Sequence, residues 1–199
     1  MIFTLNGMND SRVNTTHQMA VKLMAMGNDV TELRYDVMDV GDTRSRLRRH
    51  QTAAILTDQI MNHRDGKKSY LVAHSLGCLL ATNIVEHCSI RPLFDEAWFF
   101  APAMDRQWIF PENAWGKLNI IFNKNDRAVM LARYLPLGHP FGDMGRRGWQ
   151  TLNPPGDPGN VRLIEDHVKM YPRSHSHYFK SASLNSYAQQ ISDSIKEDG

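Results

Sequence analysis

Nothing in this chain of 199 residues approaches an unbroken apolar run of about 18, the length that a membrane-crossing helix needs, so no transmembrane segment is expected. The opening residues MIFTLNGMND lack a basic stretch followed by an apolar core, and no secretory leader is expected there. Neither sign of charge dominates. Lys and Arg number 23 against 21 Asp and Glu, a net charge of +2, which gives no broad footprint for nucleic acid. The one basic cluster, RSRLRRH at 44–50, reads as a solvated helix face. Cysteine is scarce. Cys78 and Cys88 fall in one expected helix, about 15 Å apart along its axis, whereas a disulfide needs Cα atoms within about 7 Å. Both are therefore expected to be reduced core residues, which suits a cytoplasmic location. No internal repeat is visible, and no Walker A or G-x-G-x-x-G loop follows an expected strand, so nucleotide binding is not indicated.

What is present is ordinary globular composition, 42% hydrophobic and 22% charged. The length suits one domain over 1–199 with a core large enough to need no staples. Short apolar runs at 2–6 (IFTLN), 29–35, 69–73 (SYLVA), 95–101, 118–122 (LNIIF) and 161–165 read as strands. Segments 11–26, 43–61, 76–88, 127–134 and 181–196 read as helices. In the first, Val13, His17, Ala20 and Met24 recur at helical spacing; in the second, Leu47, Ala53, Leu56 and Ile60 lie towards one side. Leu79, Leu80, Ile84 and Val85 cluster for burial in the third, and Leu184, Tyr187, Ala188, Ile191 and Ile195 form an apolar stripe in the last. Strand and helix alternate to the end. That order predicts an α/β fold: a three-layer α/β/α sandwich around a mostly parallel sheet of about six strands.

Two stretches break the rhythm. Residues 104–115 carry Trp108, Phe110 and Trp115; residues 136–160 are rich in Gly and Pro. Both follow strand C-termini, the edge where open α/β sheets bind ligands, and both are candidate lid or insert segments. The three aromatic residues either line an acyl pocket or belong to the core. Arg146 and Arg147 either meet an acidic substrate group or are solvated.

The most informative motif is AHSLG at 73–77, lying between SYLVA and the helix that follows. A nucleophile elbow needs this context: a serine on a tight strand-to-helix turn, with small residues two before and two after it. The plainer alternative is a serine that N-caps the helix. The motif resembles that of the α/β-hydrolase family, with Ala73 where the family usually has Gly. By that resemblance Ser75 is the nucleophile, with an acid after a later strand and a histidine near the C-terminus. Asp126, following LNIIF, fits the acid and would fix the histidine tautomer; it also suits an N-cap, and Asp166 and Asp143 are alternatives. Of the histidines after it, His139, His167, His175 and His177, the family's placement favours His175, with His177 as the alternative base. The oxyanion hole would use the backbone N–H groups of Leu76 and, from the LNGMND loop that stands for the family's His-Gly loop, Met8. The usual first strands of the family are missing, which makes this a trimmed α/β-hydrolase fold.

The function this implies is a serine hydrolase, carboxylesterase-like, cleaving a small-molecule ester, thioester or amide through an acyl-enzyme on Ser75. It requires no cofactor and no metal. Three rivals follow from the same residues: an acyltransferase using the same triad, a binding module that keeps the scaffold without the chemistry, and a metal-dependent hydrolase using Asp166, His167, His175 and His177. The sequence does not set the oligomeric state or the acyl chain length.

Overall fold

The computed structural model describes residues 1–7, 15–35, 45–64, 66–126, 129, 142–150, 160–167 and 175–197. Met8, His139, the expected helix at 127–134 apart from Val129, and most of 136–160 lie outside them. The elements are β1 (Ile2–Leu5), α1 (Thr15–Ala25), β2 (Val30–Leu33), α2 (Arg46–His63), β3 (Tyr70–His74), α3 (Leu76–His87), β4 (Phe94–Phe100), β5 (Trp115–Phe122), the short α4 (Met144–Arg147), β6 (Asn160–Glu165), a 3₁₀ turn (His177–Phe179) and α5 (Ser181–Glu197).

All six strands pair in parallel, in the order β2-β1-β3-β4-β5-β6. Strands covered on both faces read as nearly continuous apolar runs, and all of β1 and β3 is buried, with Thr4 and His74 their polar exceptions. One face of the sheet carries Phe3, Leu5, Leu71, Phe99 and Ile120, covered by Ala53, Leu56 and Ile60 of α2 and Leu79, Leu80 and Ile84 of α3. The other carries Ile2, Val72, Trp98, Phe100 and Ile121, under Met19 and Leu23 of α1 and Tyr187, Ala188 and Ile191 of α5. The sandwich is thus three layers, as the alternation of elements predicts.

Three expectations need correction. The strand expected at 118–122 begins at Trp115, since Trp115 and Lys117 pair with Phe94 and Glu96. Gly116 and Lys117 disguise this start as loop. In α1 the buried face is Thr15, Thr16, Met19, Ala20 and Leu23, so His17 and Met24 point outwards. In α2 the buried face begins with Arg49, followed by Ala53, Leu56 and Ile60 at helical spacing. Leu47 is not on that face and is 68% exposed. The basic cluster is therefore only partly a solvated face.

Phe110 and Trp115 are core residues, and Trp108 packs partly buried against the same cluster. Trp115 stacks on Phe94 with ring centroids 6.0 Å apart. Trp149 donates its indole N–H to the Trp108 carbonyl at 2.8 Å, which ties 142–150 to the loop after β4. The two cysteines are free and buried, as the helix geometry requires.

Candidate active site

The strand order reverses direction between β1 and β3: the chain leaves β1 for β2 on one side and later continues from β3 towards β6 on the other. Ligand crevices in open α/β sheets form at such a switch point, beyond the strand C-termini. Here those termini are Asn6–Gly7 and His74–Ser75. The register pairs Leu5 with Ala73, which brings the two turns side by side. A Cβ on Gly7 would lie 2.9 Å from Ser75 Cβ. One on Gly77 would lie 2.5 Å from the Asn6 carbonyl oxygen. Only glycine permits this approach of helix to strand, the physical content of the small residue two places after the serine.

Ser75 has φ 55° and ψ −119°, a conformation that L-residues avoid. Such a residue costs about 1–3 kcal/mol and persists where neighbours over-determine it. Ser75 N–H donates to the Phe100 carbonyl at 2.9 Å, and its own carbonyl accepts from Ala103 N–H and Cys78 N–H, each at 3.2 Å. It occupies the N-cap position of α3, yet its side chain makes no capping hydrogen bond. The hydroxyl is thus not used for the commoner structural role. Leu76 opens the helix immediately after it.

Asp126 is fully buried beyond the end of β5. Its Oδ2 lies 2.7 Å from His175 Nδ1, and its Oδ1 accepts from Val129 N–H at 3.1 Å. Both readings of this residue hold at once, as a backbone cap and as a histidine partner. The His175 ring packs on that of His74 with centroids 4.7 Å apart, so it lies beside the residue preceding Ser75. His177 turns the other way. Its Nε2 lies 2.9 Å from Asp166 Oδ2, which also accepts from the Tyr187 hydroxyl at 3.2 Å. Asp143 pairs with Arg147 at 3.0 Å, and Arg146 donates to the Lys124 carbonyl at 3.0 Å. The proposed metal ligands do not converge: His175 and His177 face different carboxylates, and His167 is exposed beside Glu165 at 3.5 Å. Among the described residues no group of three His, Cys, Asp or Glu could hold a metal ion.

Three residues that sequence reasoning missed complete the surroundings. The Tyr35 hydroxyl donates to the Asn6 carbonyl at 3.0 Å and to that of Gly7, fixing the turn after β1. Burial pushes its phenol well above the usual range. Thr15 Oγ1 bridges Asn6 Oδ1 at 2.8 Å and His74 Nδ1 at 3.1 Å. His74 itself is buried, and burial, reinforced by the charge of His175, holds its imidazole well below the ordinary value and so neutral. A polar cleft of about 310 Å³ opens beside this turn, bordered by Asn6, Gly7, His17, Glu32, Arg34 and Tyr35.

The chain is similar in fold to solved structures over nearly its full length. One is a candidate hydrolase of the α/β superfamily from Xanthomonas campestris pv. campestris (TM-score 0.52, 11% identity, 98% of each chain covered). The chain has the α/β-hydrolase fold. A protein of unknown function from Agrobacterium tumefaciens, a candidate α/β hydrolase, matches at TM-score 0.52 and 12% identity over 99% of this chain and 84% of its own. A third, an α/β serine hydrolase without a lid from Xanthomonas campestris, matches at 0.50 and 13% over 98% and 81%. At such identities the likeness concerns the α/β-hydrolase fold alone. No family model matches the chain, and no curated protein matches it in sequence. Among the described residues, no helix is long and apolar enough to cross a membrane.

Proposed function

We propose that this protein is a serine hydrolase that cleaves a small carboxylic ester, thioester or amide through an acyl-enzyme on Ser75. The observation that supports the reading is the strained serine at the switch point, with a hydroxyl not used for capping, preceded by His74, whose ring packs on a histidine bonded to a buried carboxylate. A serine hydroxyl is a weak nucleophile until a base removes its proton. In this reading His175 Nε2 takes that proton as Ser75 Oγ attacks the carbonyl. Asp126 holds the proton on His175 Nδ1, keeping Nε2 free as acceptor and stabilising the imidazolium that forms. The N–H groups of Leu76 and Met8 hold the oxyanion. His175 then returns its proton to the leaving group, and water, activated by the same ring, releases the acyl group. The scheme uses no cofactor. The buried, free cysteines suit a reducing compartment, the cytoplasm.

The test is labelling of the folded protein by an alkyl fluorophosphonate, which reports an activated serine without a guess at the substrate. Stoichiometric labelling that is lost in Ser75→Ala is expected. A folded wild-type protein that stays unlabelled would overturn the mechanism and favour a binding module on the same scaffold.

A further inference from the structure

We infer that His74, the residue before the nucleophile, is a positioning residue that ties the segment carrying His175 to the turn after β1, through Thr15 and Asn6. The inference rests on the reading of Ser75 and His175 given above and adds a part to it.

The argument is one of proton accounting. His74 Nε2 lies 3.4 Å from the backbone carbonyl oxygen of His175. A carbonyl only accepts, so the attractive arrangement has the proton on Nε2. Were both ring nitrogens protonated, an imidazolium would sit buried beneath a second histidine, an arrangement with no carboxylate bonded to it. The neutral ring leaves Nδ1 bare, 3.1 Å from Thr15 Oγ1. Thr15 has a single proton, which must then point at Nδ1. Its oxygen, 2.8 Å from the position assigned to Asn6 Oδ1, is left to accept. Asn6 therefore presents its NH₂ rather than its oxygen; the two ends of an amide are told apart only by their partners. Every bond in the chain then runs one way: Asn6 amide to Thr15 hydroxyl, Thr15 hydroxyl to His74, His74 to the His175 carbonyl. The opposite sense would set a bare Nε2 lone pair against the carbonyl lone pairs.

Packing supports the same role. The His74 ring packs on the His175 ring at a 40° tilt, and Phe179 meets the His74 ring in a T-shaped contact with centroids 5.1 Å apart. Asp126 holds the His175 side chain by Nδ1, and His74 holds its backbone. Asn6 immediately precedes Gly7, which abuts Ser75. A single hydrogen-bonded chain thus links the turn beside the nucleophile to the base.

The experiment measures the rate of fluorophosphonate labelling, separated into maximal rate and reagent affinity, for the wild type, Thr15→Val, His74→Phe, His74→Gln and the double variant Thr15→Val/His74→Phe. Displacement of a reacting group by a fraction of an ångström to 1 Å costs about ten- to a hundred-fold in rate. Thr15→Val and His74→Phe are expected to slow the maximal rate about ten-fold with affinity unchanged. His74→Gln, which keeps an N–H donor, recovers most of the rate. The double variant is no slower than His74→Phe, because the chain acts as one unit. Thr15→Val is nearly isosteric, so the test stands even if His74→Phe fails to fold. Labelling of Thr15→Val and of folded His74 variants at the wild-type rate, or losses that multiply in the double variant, would overturn the positioning role while leaving Ser75 as nucleophile. A wild type that does not label overturns both.

Discussion

The neutral state of His74 has a consequence for stability that needs no substrate. In the unfolded chain this histidine titrates near 6.5. In the folded protein its value is pushed well below that, first by burial and then by the charge of His175, with the bond to the His175 carbonyl opposing only in part. The sign follows directly. Below about pH 6.5 the unfolded chain binds a proton that the folded protein refuses. Stability from this group is therefore fully present above pH 6.5 and is lost as the pH falls, at a limiting slope of about 1.4 kcal/mol per unit. Integrated from pH 7.5 to 5.0, the unfolded-state titration alone sets a loss of at most about 2 kcal/mol. Against a typical total of about 5–15 kcal/mol this is readily measured. The assay is urea unfolding followed by tryptophan fluorescence at both pH values, for the wild type and for His74→Gln. The titratable groups facing His74 are His175 and His177, and both remain in the variant, so their contributions cancel in the difference. The wild type should lose up to about 2 kcal/mol more than His74→Gln over this range. Equal losses, within about 0.5 kcal/mol, would mean that His74 is protonated in the folded state. The hydrogen-bond directions through Thr15 and Asn6 would then be wrong.

Two further substitutions probe the construction of the elbow and the division of labour at Asp126. Gly77→Ala drives a Cβ to 2.5 Å from the Asn6 carbonyl oxygen and 2.6 Å from that of Leu5; these are backbone atoms that cannot step aside, so about 1–3 kcal/mol of destabilisation is expected. Thermal unfolding should show a drop of several degrees, and an unchanged midpoint would refute the close-approach argument. Asp126→Asn keeps an oxygen for Val129 N–H but loses the carboxylate at His175. It should fold normally while labelling of Ser75 falls by about 10²–10⁴, and near-wild-type labelling of the folded variant would show that Asp126 serves only as a cap.

The sheet was legible because the strands of a doubly covered parallel sheet are mostly apolar, and IFTLN, SYLVA and LNIIF read that way despite the buried Thr4, Ser69 and Asn119. The faces of α1 and α2 were not, because polar residues occupy the buried stripe. Thr15, Thr16 and Arg49 are buried, and apolar periodicity cannot find a stripe made partly of hydroxyls and a guanidinium. The candidate nucleophile and acid stood out by their places at strand ends, where local sequence and topology coincide. His74, Thr15 and Tyr35 did not. Their roles depend on the β1–β3 register and on the docking of α1, which bring residues 6, 15, 35, 74 and 175 together from five separate segments.

In SHSHYF only the family's placement favours His175 over His177, and what separates them physically is the turn between them. In an extended segment, residues two apart point the same way. Here the chain enters the 3₁₀ turn at His177, and the two rings diverge to different carboxylates. The two also differ in exposure: the His175 side chain is 21% accessible and that of His177 8%. Under the proposed mechanism a general base must reach the Ser75 hydroxyl, the leaving group and a hydrolytic water, so some access is required of it. His177 meets the opposite requirement. It shares Asp166 with Tyr187 of α5, and Asp166 N–H is itself bonded to the Phe122 carbonyl at the end of β5 at 2.8 Å. That buried pair fastens the turn to β5, the region just past β6 and the last helix at once. It holds the backbone two residues from His175, while His74 holds that of His175 itself. The backbone around His175 is thus fixed from both sides, while Asp126 and the His74 ring hold its imidazole.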